Sequence, residues 1–180
     1  MRSVAVRTLF TFFLAAALSG ALTAPNGTLQ IHFLEVRLGD GAVIISPQGE
    51  VVVFDNGNSK ACDKPLPYLE QLGIIQVDYP IASHYHRDHV GCTPEEFSPI
   101  KLKVAAYDQG RGYTAQRYKA YVTTLGNKRI EAHPGDVITL DKKSQHPVTI
   151  EFVAANANGI NINNENDLSV AALAAFGSGQ

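Results

Sequence analysis

Apolar residues recur along this chain in short runs broken by Gly, Pro, Asn and Asp, and that punctuation sets the element pattern. Residues 29–36, 42–46 and 50–54 predict three strands, with turns at Gly39-Asp40-Gly41 and at Pro47-Gln48-Gly49. Residues 65–72 predict a short helix opening at Pro65, a residue favoured in a first helical turn. Strands are expected at 78–82 and 101–106, a helix at about 114–125, and strands near 129–132, 137–140, 147–154 and 168–175. That order predicts an α/β (α+β) domain, a sheet-rich sandwich with helices outside.

The first residues follow another pattern. Arg2 and Arg7 precede an apolar stretch at 9–22, and Ser19, Gly20, Ala21 and Ala24 supply small residues for a peptidase. The stretch is short for a membrane span and rich in small side chains, so 1–24 reads as a secretory signal peptide, with the mature chain starting near Ala24 or Pro25. An uncleaved anchor is the alternative reading of the same residues. No later stretch is apolar for long enough to cross a bilayer.

Composition is that of an ordinary folded domain, 45% hydrophobic and 18% charged with a formal net charge of −2, and no linker or repeat divides residues 25–180. Basic residues occur only in pairs such as Lys128-Arg129 and Lys142-Lys143, which argues against a dedicated nucleic-acid surface. The chain has two cysteines, Cys62 and Cys92. In a chain bound for a secreted or periplasmic destination they predict one disulfide, worth about 3 kcal/mol for a loop of that length. Such a bond would brace whatever precedes Cys92; a free thiol or a metal ligand at Cys92 is the competing reading.

What precedes Cys92 is the segment that carries chemistry, Ser83-His84-Tyr85-His86-Arg87-Asp88-His89-Val90-Gly91. It sets three imidazoles and a carboxylate in six positions, the donor types preferred by zinc and, less exclusively, by manganese or iron. Val77, Tyr79, Ile81 and Ala82 predict a buried strand arriving there. In extended chain, residues two apart point the same way, so His84 and His86 can converge on one ion. Asp88 and His89 follow where the chain turns before Gly91 and can address a second position a few ångströms away. A polar surface loop or an adventitious ion site is the plainer alternative.

The H-x-H-x-D-H pattern after a strand resembles the signature of the metallo-β-lactamase superfamily. Residues 29–36, 39–45 and 51–57 are similar to the opening of its branch containing the extracellular domain of competence DNA-uptake proteins, and Asn164-Glu165-Asn166-Asp167-Leu168-Ser169-Val170 resembles a later strand entry in that branch. The resemblance implies an αββα sandwich over 25–180 with two zinc ions, manganese or iron being the other choices. His84 and His86 would hold one ion and Asp88 and His89 the second, with Asp88 also orienting the nucleophile. A metal-activated hydroxide would then attack an ester, phosphodiester or amide of a small-molecule or phosphodiester substrate. The family takes a further histidine from a later loop, for which His133 and His146 are the candidates here, and each reads more naturally as a surface residue. Its bridging aspartate and last histidine would fall beyond Gln180, so the resemblance implies a fold incomplete at the C-terminus, and a non-catalytic metal-binding or interaction remnant is the second reading. Asp40 and Asp55, at loop ends near the same edge, are candidates to orient a ligand imidazole, although forming turns is the commoner job for such residues. His32 is expected to pack or to face solvent.

Overall fold

The computed structural model describes residues 26–177, and the predicted leader at 1–24 lies outside the described residues. Strands β1 (Gln30–Phe33), β2 (Gly41–Ile45) and β3 (Val51–Asn56) form an antiparallel meander. Both faces of β2 and β3 are covered. Val43, Ile45, Val51 and Val53 enter one core cluster and Ile44 and Val52 the other, which is why these strands read as unbroken apolar runs rather than alternations.

Beyond helix α1 (Pro65–Gln71) come β4 (Gln76–Val77) and β5 (Tyr79–Ile81), the latter parallel to β3. A four-residue helix α2 (Thr93–Glu96) follows the histidine motif. Then come β6 (Lys101–Leu102), β7 (Ala106–Asp108), α3 (Gln116–Leu125) and β8 (Arg129–Glu131). The six-stranded first sheet has the order β1-β2-β3-β5-β7-β8, and β4 pairs with β6 beside it. Strands β9 (Val137–Leu140), β10 (Val148–Ala154) and β11 (Ala171–Phe176) make an antiparallel second sheet in the order β11-β10-β9.

The two sheets close on a shared core. In β10, Val148, Ile150 and Phe152 point inward while Glu151 and Val153 face out, the period-two pattern of a sheet with one wet face. They meet Ile44, Val52 and Ile81 of the first sheet. Phe152→Ala at this seam would cost roughly 3–5 kcal/mol. The other face of the first sheet is covered by Leu69 and Leu72 around α1 and by Tyr121 and Leu125 of α3. Val137, Val153 and Leu173 stand exposed on the outer face of the second sheet, and no helix lies over it among the described residues. The layers among the described residues are thus helix, sheet and sheet, in the order expected of the sandwich.

Three expectations change in detail. The strand expected at 101–106 is two strands in different sheets, because the N–H groups of Val104 and Ala105 both turn onto the Asp78 carbonyl and step the chain from the small sheet to the large one. The strand expected at 168–175 starts at Ala171, since Glu165–Leu168 winds into a 3-10 turn. Helix α2 had no periodic signal, being a single turn.

Candidate metal centre

Because β3, β5, β7 and β8 run parallel, their C-terminal ends share one edge of the sheet, the edge where ligands bind in parallel sheets generally. The motif leaves β5 there. Two glycines let backbones close around it. A Cβ on Gly91 would stand 2.0 Å from the Arg87 carbonyl oxygen and 2.3 Å from Ser59 N, and one on Gly39 would stand 1.7 Å from the Asp88 carbonyl oxygen. Gly91 is therefore required by close approach.

The four sequence-predicted donors come together as two pairs. Nε2 of His84 lies 3.1 Å from Nδ1 of His86, and Nε2 of His89 lies 4.0 Å from a carboxylate oxygen of Asp88. The His84 and His89 rings are 4.0 Å apart between centroids, so the pairs adjoin. Among the described residues no three His, Cys, Asp or Glu side chains form a ready ligand set around one point.

The neighbours fix which nitrogen of each ring is free. Ser83 Oγ donates to Asp55 Oδ2 at 2.6 Å, and Ser169 Oγ donates to the Asn166 carbonyl at 2.7 Å. Both hydroxyl protons are committed, so both oxygens act as acceptors toward His84 Nδ1, at 3.0 and 3.3 Å. That places the proton on Nδ1 and leaves a lone pair on Nε2, facing His86. Asp55 does the same for His89: its Oδ2 lies 2.8 Å from His89 Nδ1, which donates, and the free Nε2 faces Asp88. Burial first, and then the adjacent His89, holds the His84 pKa down to about 4, so the ring is neutral at neutral pH. For His89 burial acts in the same direction, but the hydrogen bond and charge of Asp55 outweigh it and the pKa is raised.

Asp55 thus orients the His89 imidazole, where the sequence favoured turn formation. It does both, since it sits at a left-handed φ of 53°, which Asp tolerates better than most residues, and Ser83 N also donates to its Oδ1 at 2.8 Å. Asp40 lines the same opening, a cavity of about 380 Å³ bounded by Phe33, Ala42 and Phe54 on its apolar side and by Asp55, His84 and His89 on its polar side.

The motif is braced from behind. Cys62 and Cys92 are joined in a disulfide, which removes Cys92 from the candidate ligands. Cys92 N donates to Asn56 Oδ1 at 3.1 Å, and Asn56 N donates to the His89 carbonyl at 2.8 Å. Asn56 Nδ2 donates to Glu96 Oε2 at 2.8 Å; Glu96 is 1% exposed, and burial pushes its carboxyl up to about 7, the Asn56 bond opposing. Between the first two histidines, Tyr85 is fully buried and donates from its hydroxyl to Asp108 at 2.8 Å. Asp108 also accepts from Tyr121 and Arg129.

The remaining histidines lie elsewhere. His146 is exposed in the β9–β10 turn, at the opposite end of the strands, where Asp141 meets Ser46 and Gln48. His133 is exposed in a separate cleft with Glu131, Asn156 and Asn158 beyond β8, the far strand of the sheet. His32 packs against Tyr68, its Nδ1 lying 2.9 Å from the phenol oxygen. Sequence reasoning gave no role to Ser83, Ser169 or Glu165, which contact the motif directly, or to Gln109, which reaches it through Glu165. Only the adjacency of Ser83 to His84 offered a local signal.

The fold is that of the metallo-β-lactamases. MEM-A1, a subclass B3 metallo-β-lactamase from a soil metagenome library, is similar at 20% identity and a TM-score of 0.51, over 74% of this chain and 52% of that one. An archaeal metallo-β-lactamase superfamily protein from Sulfolobus tokodaii is similar at 14% identity and a TM-score of 0.52, over 80% of this chain and 59% of the other. The Rm3 metallo-β-lactamase gives 16% identity and 0.51, over 71% and 49%. The chain spans about half the length of these structures. No family model matches the chain, and no curated protein matches it.

Proposed function

We propose that the chain is a metal-dependent hydrolase, exported by the leader at 1–24, in which His84 and His86 hold one ion and Asp88 and His89 hold a second. The observation that carries this reading is the placement of the ring nitrogens: Nδ1 of His84 and of His89 each face oxygen atoms, which assigns the proton to Nδ1 and leaves each Nε2 facing a further ligand atom of the motif. The donor set fits zinc. Two ligand atoms on one tetrahedral zinc lie about 3.4 Å apart for bonds of about 2.0–2.1 Å, close to the 3.1 Å between the His84 and His86 nitrogens.

Bound there, zinc would supply Lewis acidity, lowering the pKa of water and polarising the bond to be cleaved in an ester, phosphodiester or amide. The chain's own groups do the rest. Asp88, partly exposed beside His89, orients the attacking water and takes up its proton. Phe33, Phe54 and Ala42 seat the apolar part of a small substrate and exclude water from it. The Cys62–Cys92 disulfide supports an oxidising, secreted or periplasmic setting.

A second reading, metal binding or partner binding without turnover, is favoured by the lack of a three-donor set among the described residues. Elemental analysis of protein purified without chelator separates these. One to two equivalents of metal with hydrolysis in an ester and phosphodiester screen supports the enzyme, and metal without turnover supports the second reading. The double variant His84→Ala, His86→Ala should lose at least one equivalent. Wild-type protein carrying under about one tenth of an equivalent, with no change in melting in the double variant, would sink the site altogether.

A further inference from the structure

We propose that Glu165 is a positioning residue for the His84 and His86 pair: by accepting the backbone N–H of Tyr85, it holds in register the two imidazoles that flank that residue. The proposal rests on the metal-site reading above. Glu165 Oε1 accepts from Tyr85 N at 2.7 Å and from Gln109 Nε2 at 2.6 Å. Tyr85 is the spacer between the two ligands, and in extended chain the tilt of its peptide sets the direction of both neighbouring side chains. Turning that peptide would move both imidazoles together.

Tyr85 is anchored twice, and the anchors differ in what they control. The Asp108 carboxylate, with Arg129 Nη2 at 3.1 Å from the phenol oxygen, fixes the ring. Among the described residues only Glu165 grips the peptide. Gln109 is committed to this arrangement, because it is fully buried and its Oε1 finds no partner among the described residues, so the bond to Glu165 is what orients its amide. Glu165 does not act alone in sequence. Val170 N donates to the Ser83 carbonyl at 2.7 Å and Ser169 Oγ accepts from His84, so the segment 165–170 touches three consecutive residues, Ser83, His84 and Tyr85. Glu165 itself is 8% exposed and takes part in no ion pair among the described residues, which makes its two hydrogen bonds the reason for its place.

The test compares Glu165→Ala with Glu165→Gln in the full chain, reading the dissociation constant for Co²⁺ from its visible absorption. Loss of a group that orients metal ligands typically costs 10–100-fold in affinity, and that loss is expected for Glu165→Ala. In Glu165→Gln the amide oxygen still accepts both bonds, so affinity should stay within about fivefold of wild type. Equal losses in both variants would overturn the proposal in favour of charge or direct coordination, and an unchanged affinity in Glu165→Ala would overturn it in favour of a merely structural role. A metal-free arm separates this from failure of the site. Amide exchange at Tyr85 should quicken at least about tenfold in Glu165→Ala and stay near wild type in Glu165→Gln, with Ile150 of β10 unchanged throughout. A wild-type chain that binds no Co²⁺ sinks the metal reading, while the exchange result still decides whether Glu165 holds Tyr85. Should Glu165→Ala not fold, Gln109→Leu is read the same way: weaker Co²⁺ binding and faster Tyr85 exchange support the proposal, and no change overturns it.

Discussion

Two buried aspartates, Asp55 at the end of β3 and Asp141 against the β2–β3 turn, sit at opposite ends of that hairpin and use nearly the same local chemistry. Each has a left-handed φ, 53° and 52°. Each accepts from a serine hydroxyl, Ser83 at 2.6 Å and Ser46 at 2.8 Å, and from a backbone N–H, Ser83 at 2.8 Å and Gln48 at 3.0 Å. At Asp141 that arrangement ties the second sheet to the β2–β3 turn and ends there. At Asp55 one oxygen also receives the Nδ1 proton of His89. A buried aspartate in a tight turn is therefore a structural device by default; an imidazole placed on its remaining lone pair gives Asp55 a second task, which the proposed function reads as chemical. Other acids at the two ends differ in a parallel way. Asp78, near the structural end, is paired with Lys103 at 2.7 Å, whereas Glu96, behind the motif, faces only Asn56.

The largest expected contrast comes from Asp55→Asn against Asp141→Asn. Asp55 receives only donors, two on Oδ2 and one on Oδ1, so whichever way an amide is turned its NH₂ meets a donor. Either His89 changes tautomer or a bond is lost, and metal affinity should fall 10–100-fold. At Asp141 the Ser46 hydroxyl can rotate and accept from the amide, so affinity should not change and stability should fall by only about 1 kcal/mol. Isothermal titration with Zn²⁺ alongside urea unfolding reads both, and equal affinity losses in the two variants would erase the distinction drawn here.

Next in size is the response of Glu96 to pH. Its folded pKa, about 7, lies above the ordinary 4.5, so the folded state holds the proton more tightly. Its stabilising contribution is complete below pH 4.5, declines as pH rises, and is gone above about pH 7. Glu96→Gln removes that decline. Relative to wild type, the variant should gain about 3 kcal/mol of stability between pH 4.5 and pH 8, with most of it by pH 7. Parallel unfolding curves for the two proteins across that range would contradict the buried, unpaired acid. The smallest effect belongs to Ser169→Ala, which removes one of two acceptors on His84 Nδ1 and leaves Ser83 in place. A loss of metal affinity of about two- to fivefold is expected, with melting unchanged.

The contrast also explains what could be read from the sequence. The β2–β3 hairpin and the motif were legible because their signals are local: apolar runs around Pro47-Gln48-Gly49, and four donors in six positions. The disulfide was legible because only two cysteines exist. Asp55 was legible only as a turn residue because its immediate neighbours, Asn56 and Gly57, describe a turn, while the imidazole it also holds, His89, is supplied by the loop after β5. Gln109 carried no signal for the same reason, and Glu165 stood out only within the 164–170 resemblance, which gave it no role. The bonds that Glu165 accepts from Gln109 and from Tyr85 exist only when the end of β7 and the 165–168 turn have been brought to one edge. Lengths of elements failed where backbone groups turned onto an unforeseen acceptor, as Val104 and Ala105 do at Asp78.

The bond from Tyr85 to Glu165 joins residues 80 positions apart. During synthesis the histidine motif leaves the ribosome well before the segment that clasps it, so a nascent chain carries all four donors with none of the 165–170 contacts. A contact between residues so far apart carries a loop-closure cost that the β2–β3 hairpin does not, so the final register of His84 and His86 is expected to be set late in folding, after the local meander has formed.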